Sequence, residues 1–154
     1  MGIEIERKFL VVGGGWKAVA EDGLACRQGY LDSGQGSTVR VRVIGEQAFL
    51  TIKGATVGIT RSEFEYEIPV LDAIEILALC GGAVVEKCRY FITHAGNVWE
   101  LDVFEGANAG LVMAEIELET EEQSFEQPDW VGSEVSADPH YRNGHLARHP
   151  FAMW

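Results

Sequence analysis

The sequence is short of basic residues, cysteine and proline, and each shortage excludes something. Only 12 Lys and Arg stand against 24 Asp and Glu, a formal charge of −12 over 154 residues. Duplex DNA and anionic membranes recognise a net basic face, so neither is an expected partner. The three cysteines, Cys26, Cys80 and Cys88, include no C-x-x-C pair. Their odd number argues for reduced thiols in a cytoplasmic protein, not a disulfide framework or a zinc ribbon. Four prolines leave little scope for a linker, and no repeat or low-complexity tract divides the chain, so residues 1–154 are read as one domain. Long apolar runs are missing too. The longest stretch free of Asp, Glu, Lys, Arg and His, Ile76 to Val85, is far too short to span a bilayer and carries Gly81 and Gly82. A secretory signal is not expected, because Glu4, Glu6, Arg7 and Lys8 stand where its apolar core would lie.

What the chain does have is an ordinary globular mixture, 47% hydrophobic and 23% charged, arranged with a period of two. Strands are predicted over Ile3 to Val12, Cys26 to Leu31, Thr38 to Ile44, Ala48 to Lys53, Ile59 to Val70, Val84 to Ile92, Val98 to Phe104 and Leu111 to Thr120. Gly45-Glu46-Gln47 and Gly96-Asn97 read as tight turns between them. Helices are the minority. Leu71 to Cys80 places Leu71, Ile74, Leu77 and Ala78 at helical spacing before a Gly81-Gly82 stop. Trp16 to Glu21 and Phe125 to Trp130 read as short helical turns, and Tyr141 to Ala147 as a terminal helix. Eight strands joined largely by short turns predict a mainly β protein with a few helices, its antiparallel sheet able to close into a barrel.

One parity of these strands is unusual. It collects Glu4, Glu6 and Lys8, then Arg40, Arg42 and Lys53, then Glu63, Glu65, Lys87 and Arg89, and lastly Glu100, Asp102, Glu115 and Glu117. On any single strand a wetted face with weak cross-strand ion pairs is explanation enough. Across seven strands it is not. Like charges at i and i+2, such as Arg40 and Arg42, sit only about 7 Å apart and repel unless a counter-ion lies nearby. Carboxylate pairs are hard ligands for Mg²⁺ or Mn²⁺, while Arg forks and Lys ammoniums suit phosphate oxygens. A closed barrel binding a metal-complexed polyphosphate in its lumen accounts for both sets. His140, His145 and His149 lie close in sequence, but no carboxylate or thiol completes a zinc set with them.

The opening E-x-E-x-K at Glu4, Glu6 and Lys8 is followed by Gln28-Gly29-Tyr30-Leu31, Val39-Arg40-Val41-Arg42, Thr51-Ile52-Lys53-Gly54, Arg61-Ser62-Glu63-Phe64-Glu65, Lys87-Cys88-Arg89-Tyr90, Glu100-Leu101-Asp102 and Glu115-Ile116-Glu117-Leu118-Glu119. With the tail Gly132-Ser133-Glu134-Val135 to Asp138-Pro139-His140-Tyr141, this ordered series resembles the CYTH family, the triphosphate tunnel metalloenzymes. The resemblance implies a closed eight-stranded antiparallel barrel with hydrophobic residues facing outward beneath helices. It implies Glu4, Glu6, Glu115 and Glu117 around Mg²⁺ or Mn²⁺, with Glu100 and Asp102 beside them. Lys8, Arg40, Arg42, Lys53, Lys87 and Arg89 would grip the triphosphate. Lys8, Arg40, Arg42 and Lys87, together with Glu63 and Glu65, would act in the reaction. The short chain favours hydrolysis of inorganic tripolyphosphate to diphosphate and phosphate. Organic triphosphates or a class IV-type adenylyl cyclisation are the alternatives, and a noncatalytic polyphosphate- or phosphoprotein-binding module is the rival of another class. The expected partner is the small-molecule triphosphate, and the protein a monomer or homodimer.

Overall fold

The structure is a computed structural model that describes residues 2–33 and 36–154. Among the described residues nine strands run antiparallel: β1 (Ile3–Val11), β2 (Leu24–Leu31), β3 (Ser37–Ile44), β4 (Gln47–Gly54), β5 (Thr60–Ile68), β6 (Val84–His94), β7 (Asn97–Phe104), β8 (Val112–Glu117) and β9 (Val131–Glu134). Their order is β5-β4-β3-β2-β6-β7-β8-β1-β9, and β5 also pairs with β1. The first eight therefore close into the expected barrel. The closing edge of β1 is shared. Ile3, Glu4 and Ile5 pair with β5, whereas Phe9 and Val11 pair with β9, so β9 takes over where β5 has left.

Two hairpins are turned by two residues each. Gly45-Glu46 joins Ile44 to its partner Gln47, and Ala95-Gly96 joins His94 to Asn97. Ala95 and Gly96 both have positive φ, 50° and 82°, the twist that a tight hairpin between right-handed strands needs. Pro69 ends β5 and caps α1 (Val70–Ala78), since it has no N–H to continue the ladder.

Three expectations need correction. The buried stripe of α1 is Ala73 and Leu77, flanked by Val70 and Ile76, while Leu71 and Ile74 are exposed. The face at 70, 73, 77 and 80 presents small and apolar groups together, which lets α1 press on β2 until a Cβ at Gly29 would lie 2.7 Å from Cys80 Sγ. Phe125 to Trp130 is not helical; Phe125 and Trp130 instead stack edge-on against Trp99. β8 stops at Glu117, and the unexpected strand is β9.

The hydrophobic core lies outside the barrel wall. Phe9, Trp99, Leu101 and Ile116 point outward under Trp16, Phe125 and Trp130, and Val41 and Ala48 point outward under α1. A third cluster breaks the rule that apolar residues face out. Leu10, Val85, Phe104 and Met113 share the inward parity of Lys8, Lys87, Asp102 and Glu115. They are closed over by Leu146 of α2 (Asn143–Arg148).

Candidate functional site

Because side chains alternate across a strand, closing the barrel turns the whole charged parity set inward. A cavity of about 970 Å³ results, lined by every predicted site residue except Asp102. The register decides who meets whom. Lys8 lies opposite Glu115, which lies opposite Glu100; Glu6 lies opposite Glu117; Lys53 lies opposite Glu63.

Nearly every cation is matched to a carboxylate. Lys53 Nζ reaches Glu4 at 3.0 Å and Glu63 at 3.2 Å, and Arg61 Nε reaches Glu4 at 3.3 Å. Burial alone would raise Glu4, but Lys53, hydrogen bonding from Glu63, and Arg61 outweigh it and bring the carboxyl below its usual range. Arg40 contacts Glu65 at 3.3 Å and Thr51 Oγ1 at 3.2 Å, and the Thr51 hydroxyl donates to Glu65 at 2.8 Å. Arg89 holds Asp102 bidentately, Nε and Nη2 donating at 2.8 and 2.9 Å, and also reaches Glu100. Lys87 Nζ completes this cluster 2.8 Å from Asp102.

Asp102 is thus placed behind the cavity, with both oxygens occupied by Arg89 and Lys87. Burial raises it, but these two cations more than compensate and keep it ionised. Burial, opposed only in part by Asp102, lowers Lys87 to about 8. Glu115 is likewise buried yet held well below the ordinary range by Lys8, Arg89 and Lys87.

Two groups stand out for what they lack. Arg42 is a barrel-strand cation of the lumen with no carboxylate partner among the described residues; its Nε donates to the neutral Gln28 Oε1 at 3.1 Å. Burial and then repulsion from Arg40 and Arg89 lower its affinity for a proton. Glu6 is the opposite case. Burial, then the charges of Glu115 and Glu4, push its carboxyl up to about 8. Burial also raises Glu117, with Glu4 and Glu100 adding to the effect. The wall formed by β1 and β8 therefore has an excess of negative charge, and the region around Arg42 an excess of positive charge.

Several lumen residues were not among the predicted ones. Thr51, Gln28 and Arg61 follow from strand parity alone, since they share a face with Lys53, Arg42 and Glu63. The C-terminal segment gives no such signal. Tyr141 accepts from Lys8 Nζ through its carbonyl at 3.1 Å, and Asn143 Oδ1 accepts from Lys87 Nζ at 3.0 Å. His140, His145 and His149 stack with ring centroids 5.0 and 4.6 Å apart. No group of three or more His, Cys, Asp and Glu among the described residues is gathered to hold a metal ion.

A CYTH domain matches residues 2–145. The chain belongs to the CYTH family. This CYTH chain is 49% identical to an inorganic triphosphatase of Acetivibrio thermocellus over 152 residues, covering 98% of this chain and 97% of the relative. It is 38% identical to an inorganic triphosphatase of Nitrosomonas europaea, covering 94% and 96%. The crystal structure of an inorganic triphosphatase superposes with a TM-score of 0.64 at 35% identity, over 94% of this chain and 93% of the other. The CYTH barrel thus has the same architecture as that solved enzyme.

Proposed function

We propose that the protein hydrolyses a triphosphate in its lumen, most directly inorganic tripolyphosphate to diphosphate and phosphate. The observation that carries this reading is the coexistence, in one cavity, of a dense set of cations and a separate wall of crowded carboxylates. A pocket for a bare anion gains nothing from Glu4, Glu6, Glu115 and Glu117; a pocket for an anion with its metal needs both. The names of the two relatives support the same substrate class.

In this reading Lys8, Arg40, Arg42, Lys53, Lys87 and Arg89 hold the phosphate chain and neutralise charge as it develops on the departing diphosphate. Arg42 takes a phosphate oxygen without first giving up a carboxylate. Glu63 and Glu65 orient the attacking water. Glu6, Glu115 and Glu117, with Glu4 and Glu100, are the candidate ligands of Mg²⁺ or Mn²⁺. The chemistry fits: burial first, and then the facing charges of Glu115 and Glu4, raise the Glu6 carboxyl, and a divalent hard cation relieves such crowding better than a proton does. When bound there, the metal supplies charge neutralisation and polarisation of the phosphoryl oxygens. Asp102 serves as the buried counter-ion that fixes Arg89 and Lys87. The reading places the protein in the cytoplasm, with a small molecule as its partner.

The test is phosphate release from tripolyphosphate. Release that stops with EDTA and returns with Mg²⁺ or Mn²⁺ is expected; no release with either metal overturns the reading. Thiamine triphosphate and ATP run alongside define the substrate, and cyclic AMP formed from ATP would replace hydrolysis by cyclisation.

A further inference from the structure

The outer wall of the barrel is covered unevenly. Trp16, Phe125 and Trp130 close over Phe9, Trp99, Leu101 and Ile116, and α1 closes over Val41, Ala48 and Ile68. The outward residues of β5 before Ile68 are Tyr66 and Phe64, paired with Leu50 and Ile52 of β4. Here the cover stops: Tyr66 is 59% exposed, Phe64 48% and Ile52 41%. Ile3, 61% exposed, extends this face across the seam between β5 and β1. There the Phe64 ring rests so close to Gly2 that a Cβ would lie 3.1 Å from it. α1 starts just after β5 ends and adds Leu71 and Ile74, 77% and 51% exposed.

We infer that this face is the contact surface between two copies of the chain in solution. Two half-exposed aromatic rings of about 150–250 Å² each, with four aliphatic side chains at similar exposure, leave about 600 Å² uncovered, at the top of what a monomer carries in one patch. That matches the apolar share of the roughly 800 Å² that each partner of a standard interface buries. Charge favours a second copy over an unlike partner. In a chain of net charge −12, the outward positions of β4 and β5 hold no Asp, Glu, Lys, Arg or His, so the sheet offers a charged partner nothing to read. An isologous apolar contact needs no such signal, because one patch serves both sides. The two copies meet face to face, not edge to edge. Gly2 carbonyl accepts from the Glu63 N–H at 3.0 Å, and beyond it the edge of β5 has no strand beside it among the described residues. Antiparallel pairing of that edge with its own copy would set Glu65 and Glu67 opposite glutamates, and like charges directly opposite destabilise a sheet. The face lies outside the barrel wall and uses no lumen residue, so the inference stands apart from the triphosphate reading.

The test is sedimentation velocity of the full chain over a series of micromolar concentrations, in low salt and in about 0.5 M NaCl. A reversible dimer is expected, and its Kd should fall in high salt, because screening removes repulsion between two strongly acidic copies while leaving the apolar contact intact. Tyr66→Lys and Ile74→Lys change exposed side chains on two different elements, and each is expected to raise Kd about 30-fold or more, the effect of losing one central anchor. Val19→Lys is the control: Val19 is 59% exposed but stands next to η1, the 3-10 turn Gly15–Ala18, outside this face. Circular dichroism identifies any variant that has not folded, and the other then decides. Weakening by either folded variant, with Val19→Lys unaffected, supports the inference. A wild type that stays monomeric at every concentration in both salts overturns it and leaves the face to a different partner. A dimer indifferent to both Tyr66→Lys and Ile74→Lys, or weakened as much by Val19→Lys, overturns it as well.

Discussion

Two stretches of the same lumen are built from the same alternating strands and hold opposite chemistry. Along β1 the inward positions run Glu4, Glu6, Lys8 and then Leu10; along β6 they run Val85, Lys87 and Arg89; along β7, Glu100, Asp102 and then Phe104. One stretch is a dense ionic lattice. The other is an apolar end closed over by Leu146, which is fully buried. The apolar end excludes water from one side of the ions. It thereby strengthens their interactions and makes each unmatched charge matter. The ions are individually a burden on folding, and the hydrophobic end and outer layers must outweigh it.

Breaking the ionic stretch should have the largest effect. Arg89→Ala removes the bidentate partner of Asp102 and leaves Lys87 as its remaining cation. We expect a loss of about 3–5 kcal/mol in denaturant unfolding, the range for breaking a buried pair, with turnover of tripolyphosphate reduced about 100-fold or more. Unfolding within error of wild type would show the lattice to be looser than drawn. At the apolar end, Leu146→Ala is expected to cost about 3 kcal/mol by the same measurement, from lost burial and the cavity left behind.

The comparison sharpens with pH. Burial and the charges of Glu115 and Glu4 raise Glu6 from its ordinary 4.5 to about 8. The folded protein therefore keeps a proton there that the unfolded chain releases, and the stability this provides is complete below the unfolded value and lost as pH rises through about 8. In EDTA the denaturation midpoint should fall from about pH 5 to about pH 9, and Glu6→Gln should flatten that slope. Added Mg²⁺ should restore the midpoint at the alkaline end by binding the folded state. A wild-type midpoint that rises over this range contradicts the assignment.

The smallest effect belongs to the outside of the barrel. Arg7 pairs with Glu134 at 3.0 Å, with both side chains about one-third exposed, so Arg7→Ala should shift stability by less than about 1 kcal/mol and leave tripolyphosphate turnover unchanged. A loss like that of Arg89→Ala would erase the distinction between inner and outer pairs.

Much of this was legible along the chain. Period two is a local property, so the charged parity set, its strands and the turn at Gly45 could be read without knowing any partner. β9 could not, being four residues long and carrying Gly132, too short for an alternation to register. The rotation of α1 was missed because Leu71, Ile74 and Ala78 form a helical stripe with Leu77 as well as Val70 and Ala73 do; only the close approach at Gly29 selects between the two faces.

Residue type and alternation by themselves determined that acids and bases would share one face, because side-chain direction reverses at every step of a strand. Only the closed barrel decided which charges cancel. Pairing depends on register between strands far apart in sequence, and it spends Asp102 on Arg89 and Lys87, leaves Arg42 to Gln28, and crowds Glu6 against Glu115. The end closure belongs to the tertiary structure as well, because Leu146 and the Lys-binding groups of Tyr141 and Asn143 lie on a segment that carries no strand pattern and is located only by what it packs against.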